Sequence, residues 1–111
     1  MALKKILTIA GSDTSAGAGM QADLKTFQEL DSYGMVALTS IVTMDTETWS
    51  HDVTPIPFDV FEKQLKTAIS IGPDAVKTGM LGTEEMIQRA GEAFTESGAD
   101  YFVVDPVMVC K

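Results

Sequence analysis

Cysteine occurs once in this chain of 111 residues, at Cys110. No disulfide can therefore form within it, and no pair of thiols is present to begin a four-ligand zinc site. Basic residues are scarce as well: 8 Lys plus Arg stand against 16 Asp plus Glu, for a formal net charge of −8. No Lys/Arg cluster offsets that balance. A phosphate backbone and an anionic lipid surface would both repel it, which argues against nucleic acid and membrane as partners. Long apolar runs are missing too. The stretch that follows Met1-Ala2-Leu3-Lys4-Lys5 is too short for a signal segment or a membrane span. With no disulfide and no targeting segment, the expected address is the reducing cytoplasm. What remains is ordinary globular material, 45% hydrophobic and 22% charged, enough for one small domain with a real core.

The chain alternates strand-like and helix-like segments. Leu3 to Ala10 (LKKILTIA) ends in an apolar run rich in β-branched residues and bounded by Gly11, which reads as a buried strand. Met20, Leu24, Phe27 and Leu30 recur at helical spacing, with Gly34 marking the end. Val36 to Thr43 (VALTSIVT) is a second strand. The polar stretch from Met44 to Pro57 reads as a loop or lid, with room for a short strand around Val53 and Thr54. Phe58, Phe61, Leu65, Ala68 and Ile69 form the face of a second helix, stopped by Gly72-Pro73. A short strand, Asp74 to Thr78, precedes a third helix capped by Thr83, with Glu84 and Glu85 at its positive end. Met86, Ile87, Ala90 and Phe94 give that helix its apolar face, and Gly98 ends it. Tyr101 to Val104 (YFVV) is the last strand.

This order implies parallel βαβ units, and near-continuous apolar strands imply a sheet covered on both faces. The expected fold is α/β: a three-layer α/β/α sandwich on a mostly parallel sheet. Three helices are too few to cover both faces of four parallel strands, and no helix follows the last one. Residues 1–111 thus read as the first part of a longer fold.

In open α/β sheets chemistry gathers at the carboxyl ends of the strands. The unusual residues here fall in those loops: Gly11 to Gly19 (GSDTSAGAG), Met44 and Asp45 with Trp49 and His51 further on, Gly79 to Gly82 (GMLG), and Asp105 to Lys111 (DPVMVCK). Gly17-Ala18-Gly19-Met20-Gln21-Ala22 matches the G-x-G-x-x-A dinucleotide pattern, which opens an alternative reading as part of a Rossmann-type NAD-dependent oxidoreductase. The match is poor, because Gly17 comes six positions after Gly11 rather than at the strand end, and no acidic residue closes a second strand at the required distance. No G-K-[ST] follows, so it is not a P-loop either. The remaining readings are a plain glycine-rich turn or a substrate floor. In the second, glycines bring backbone N–H groups close to a flat ring while Asp13 and Asp23 offer carboxylates to polar substituents.

Single residues stay open in the same way. Cys110 is either a small buried hydrophobe or, beside Lys111, a thiol with a lowered pKa. His51 is a solvated loop residue or a lid group that hydrogen-bonds a ring hydroxyl. Trp49 anchors a lid or simply packs. Met44 and Met80 fill core or line a flat aromatic site. Asp105-Pro106 reads first as a turn. Lys77, late in a strand that looks buried, reads as a side chain snorkelling its ammonium to an edge, with no assigned role.

At GSDTSAGAGMQADLKTFQELDSYG, VTMDT, KTGML and DPVMVCK the chain resembles the ribokinase-like vitamin kinases, specifically the hydroxymethylpyrimidine kinase branch and its bacterial pyridoxal kinase members. The likeness runs through all 111 residues. It implies transfer of the γ-phosphoryl group of ATP, with Mg²⁺, to a hydroxymethyl group on a pyridine or pyrimidine ring, by an enzyme more than twice this length that commonly forms a homodimer. Residues 1–111 would be the acceptor-substrate half of a single ribokinase-like domain. The ATP-binding half would lie beyond Lys111, so residues 1–111 alone are expected to be inactive. By the same resemblance Gly11, Asp13, Ala18, Gly19 and Asp23 form the acceptor floor, Met44 and His51 its side and lid, and Met80, Val107 and Cys110 the remaining wall. Dedicated pyrimidine kinases of the branch carry glutamine where this chain has Met44, and a thioether cannot read an aminopyrimidine edge. The resemblance therefore points to pyridoxal, in vitamin B6 salvage, with pyridoxine and the pyrimidine alcohol as further acceptors. The alternative is a dedicated hydroxymethylpyrimidine (phosphate) kinase of thiamine biosynthesis. On the pyridoxal reading, the Cys110 thiolate is expected to add to the substrate aldehyde as a hemithioacetal.

Overall fold

In the computed structural model of the chain, residues 3–105 are described. The elements are β1 (Lys5–Asp13), α1 (Gly19–Glu29), β2 (Tyr33–Met44), β3 (His51–Pro55), α2 (Phe58–Ile71), β4 (Ala75–Thr78), α3 (Glu84–Ser97) and β5 (Tyr101–Val104). They form one five-stranded sheet in the order β3-β2-β1-β4-β5. Every pairing is parallel except β2 with β3. The α/β class and the mostly parallel sheet are those expected.

Side-chain alternation sorts the layers. Leu7, Ile9, Met35, Ala37 and Val76 point to one face and form the main core with Phe61, Leu65 and Ala68 of α2 and Met86, Ala90 and Ala93 of α3. Phe94 stacks on Phe102 at 4.6 Å between ring centroids, extending that core to β5. Arg89 of α3 ties the two helices together through Glu62 of α2, in two bonds of 2.6 and 2.7 Å, and also bonds Glu96. The opposite face carries Thr8, Gly34 and Lys77, and α1 lies over it.

Several boundaries differ from expectation for definable reasons. β1 does not stop at Gly11 but runs on to Asp13, because a bulge between Ala10 and Ser12 lets the strand continue beside β2. Gly34 does not end α1; it lies inside β2, where an added Cβ would stand 2.6 Å from Leu24 Cδ2 and 3.0 Å from Phe27 Cδ2. The helix ends at Glu29 instead, with Leu30 as its C-cap, and Asp31 takes the left-handed turn at φ 55°. The lid segment contains a five-residue edge strand, β3, antiparallel to β2. Upstream of that pairing, the Gln64 amide of α2 occupies both backbone groups of Leu38, accepting from its N–H at 2.7 Å and donating to its C=O at 3.0 Å. Thr83, Gly72 and Gly98 cap their helices as expected.

Burial corrects two readings of the faces. Leu30 and Ile87, assigned to apolar helix faces, are 70% and 57% exposed. The sheet is also not covered on both sides throughout: on the α1 side of β5, Tyr101 and Val103 are exposed, with no described element above them.

Candidate active site

The carboxyl ends of β1, β2, β4 and β5, with the start of β3, enclose a cavity of about 310 Å³. That is the size of a single substituted ring, at the lower end of small-molecule sites. Gly11, Asp13, Ala18, Gly19, Met44, His51 and Met80 all line it, although they are scattered over 70 positions of chain (11 to 80). The topology brings them together. Parallel crossovers return β1, β4 and β5 to the same edge, and the antiparallel turn folds His51 back against Met44.

The floor depends on missing side chains. A Cβ on Gly11 would lie 2.8 Å from Ser40 Oγ, and one on Gly19 would lie 2.6 Å from the Gly11 carbonyl oxygen. Gly19 also has φ +65°, where an L side chain is strained. The loop between β1 and α1 is closed by Asp13, whose carboxylate accepts from Ser15 N (2.9 Å), Ser15 Oγ (2.7 Å) and Ala18 N (2.9 Å). The Ser15 hydroxyl is the main reason the Asp13 carboxyl sits below its usual range; the Ser15 and Ala18 amides and the nearby His51 add to the effect against partial desolvation. Asp13 thus shapes the loop as well as facing the cavity. Gln21 locks the same corner, accepting from Asp13 N at 2.9 Å and donating to Ser12 Oγ at 2.7 Å.

The lid is a tight turn. Asp45 accepts from the backbone N–H groups of Glu47 and Thr48, which lowers its pKa, and Trp49 at the tip adopts φ 60°. Trp49 is 60% exposed, so it does not pack as core. On the far wall, Thr39 Oγ1 donates to the Met80 carbonyl at 2.7 Å and holds that loop in place.

Asp23 is the exception among the expected floor residues. It does not line the cavity; its carboxylate takes Lys77 Nζ at 2.9 Å on both oxygens and the Thr8 hydroxyl at 2.6 Å. The reason is position: Asp23 lies one turn into α1, facing the sheet, while the cavity opens at the N-terminus of that helix. Lys77 does line the cavity, against the reading that gave it no role. Its signal in sequence was a lone charge inside a buried strand. Ser12, Gly79 and Asp105 join the lining as well. Val107 and Cys110 lie outside the described residues.

Among the described residues no group of three or more His, Cys, Asp or Glu is placed to hold a metal ion. The Mg²⁺ of the expected reaction finds no cluster of ligands here, and no step is assigned to it. Nor is any described helix long and apolar enough to cross a membrane.

The mostly parallel α/β sheet gathers its loops into a cavity at its carboxyl edge, the place where open α/β folds bind small molecules. Residues 13–111 match the family model for phosphomethylpyrimidine kinase, and the chain belongs to that family. Over its whole length it is 55% identical to the pyridoxine kinase of Bacillus subtilis and 46% identical to the hydroxymethylpyrimidine/phosphomethylpyrimidine kinase of the same organism, covering 42% and 41% of those proteins. It superposes with a TM-score of 0.97, at 81% identity, on pyridoxal kinase from Staphylococcus aureus in complex with AMP-PCP and pyridoxal, covering all of this chain and 41% of that one. The chain thus spans about two-fifths of the length of the curated relatives it matches. Family membership removes the support for the dinucleotide reading. β1 ends at Asp13, so Thr14, Ser15 and Ala16 separate Gly17 from the strand end, and the first glycine of the fingerprint is not at the strand-to-helix turn in space either.

Proposed function

We propose that this chain is the acceptor-binding part of an ATP-dependent kinase that phosphorylates the hydroxymethyl group of pyridoxal, and also accepts pyridoxine and the hydroxymethylpyrimidine. The observation that carries this reading is the pairing of Met44 with His51 on the cavity wall. A thioether offers a flat ring dispersion contact but cannot pair with an aminopyrimidine edge, whereas the imidazole suits a ring hydroxyl. Both the pyridoxine kinase and the pyrimidine kinase relatives support the wider substrate class.

In the reaction the substrate hydroxyl oxygen attacks the γ-phosphorus, the bond to the departing ADP oxygen breaks, and the hydroxyl proton leaves to a base. Such catalysis consists mainly of alignment and charge neutralisation. The glycine floor, the Asp13-closed loop and the Met44–His51 wall would orient the ring. The family resemblance puts ATP on the part of the enzyme beyond Lys111, and the relative in complex with AMP-PCP supports ATP as the donor. Mg²⁺, a homodimer and a cytoplasmic location stand with this proposal as features that the family resemblance implies. Val107 and Cys110 complete the wall on the same basis.

The test is ATP-dependent phosphorylation by the full-length enzyme carrying residues 1–111 of this sequence. Turnover of pyridoxal with a kcat/KM at least equal to that for the pyrimidine alcohol supports the reading. Turnover of the pyrimidine alone would assign a dedicated pyrimidine kinase, and turnover of neither would end the proposal. Residues 1–111 alone are expected to transfer no phosphoryl group.

A further inference from the structure

Lys77 is the only lysine or arginine among the described residues that line the cavity. Its ammonium carries three N–H donors, and both carboxylate oxygens of Asp23 lie 2.9 Å from Nζ. Asp23 is in turn held by the Thr8 hydroxyl at 2.6 Å, and Thr8 is fully buried. The pair is largely shielded, with side-chain exposures of 23% for Lys77 and 16% for Asp23. Neither Asp23 nor Thr8 reaches the cavity, so the lysine is the face this trio presents to a ligand. Small neighbours leave that face open. A Cβ on Gly79 would stand 3.5 Å from Lys77 Nζ and 3.0 Å from Ala10 Cβ, and both Gly79 and Ala10 line the cavity beside it.

A salt bridge serving only to attach α1 to the sheet would have no need to stand on the cavity wall. Pairing with Asp23 holds the ammonium in one place and balances its charge, and the lysine still lines the cavity. We infer that Lys77 is a specificity-determining residue of the acceptor site: its ammonium donates to an oxygen substituent of the bound ring, and Asp23 and Thr8 are positioning residues that act through it. The inference rests on the proposed acceptor function and adds to it a donor for a ring oxygen. Such a donor favours hydroxylated pyridines over rings that bear only amino or methyl groups at that place.

The test compares three acceptors on the full-length enzyme: pyridoxine, 3-deoxypyridoxine and 4-deoxypyridoxine. All keep the hydroxymethyl group that receives phosphate, and none has an aldehyde for Cys110 to engage. The readout is the ratio of kcat/KM for pyridoxine to that for each deoxy analogue. Because each ratio is taken within one protein, it does not depend on how much of a variant is folded. A hydrogen bond from a charged donor corresponds to roughly a 10- to 100-fold preference. Lys77→Met is expected to collapse that preference for one analogue, which identifies the oxygen, and leave the other ratio unchanged. Asp23→Asn should erode the same ratio by a smaller factor. If Lys77→Met lowers all three acceptors equally, the lysine is a helix anchor and the inference is overturned. A wild-type enzyme inert toward pyridoxine and pyridoxal alike would instead fail the functional proposal, and the inference with it.

Discussion

Met44 and His51 are Cα partners across the antiparallel β2–β3 pair, seven positions apart in the chain and side by side on one cavity wall. This register makes position 44 a reader of whatever His51 helps to hold. Replacing the thioether by an amide, Met44→Gln, adds the donor and acceptor that an aminopyrimidine edge requires. The ratio of kcat/KM for the pyrimidine alcohol to that for pyridoxal is expected to rise by about tenfold, in line with one or two net hydrogen bonds. An unchanged ratio, measured on the full-length enzyme, would separate Met44 from ring selection.

The glycine floor yields a sharper expectation. Gly19→Ala puts a Cβ into the Gly11 carbonyl at 2.6 Å and the Asp13 amide at 3.0 Å, both backbone atoms that cannot swing away, and does so at φ +65°. Strain of this kind costs on the order of 1–3 kcal/mol. The loop must shift, so pyridoxal KM should rise at least tenfold while α2 and α3, on the other face, keep their packing. Calorimetry together with steady-state kinetics checks both halves.

Acid stability should report on the tie between α2 and α3. The hydrogen-bonded Arg89 guanidinium holds the Glu62 carboxyl below its ordinary value, against a smaller cost of burial. A carboxyl with a depressed folded-state pKa stabilises the fold above its unfolded value near 4.5, and that contribution is lost as pH falls toward the folded value. Arg89→Met should remove this acid-dependent component, so the variant's stability should depend less steeply on pH below about 4.5 than the parent's. At pH 7 the loss should be roughly 1–2 kcal/mol, because the network is partly solvent-screened. Denaturant titrations at pH 7 and at acid pH measure the difference.

Cys110 is tested by substrate chemistry. A thiolate that adds to the aldehyde carbon of pyridoxal, the carbonyl oxygen taking up a proton, cannot add to pyridoxine, which has an alcohol there. Cys110→Ala is therefore expected to lower kcat/KM for pyridoxal by tenfold or more and to leave pyridoxine within about threefold. Equal losses on the two acceptors would remove the covalent step.

Much of this molecule was legible in its residues because local rules and global fold agree. Strand and helix periodicity, the Thr83 cap and the Gly72 and Gly98 stops all act within a few residues, and the glycine-rich and methionine-bearing loops fall where a parallel sheet collects its chemistry. Those signals were sufficient for the α/β class and for the edge of the sheet where the site forms; the particular set Gly11, Asp13, Ala18, Gly19, Met44, His51 and Met80 came from the family resemblance, and all seven line the cavity. Tertiary structure alone decided the rest. Whether Asp23 faces a ligand or a lysine 54 positions away depends on how α1 sits on the sheet, and one turn of helix separates the two outcomes. Gly34 reads as a helix stop until Leu24 and Phe27 are seen to need its missing side chain. Lys77 looks like a stray charge until Asp23, itself held by Thr8, is seen to pair with it from another element, because charge pairing across a fold leaves no local pattern in the chain.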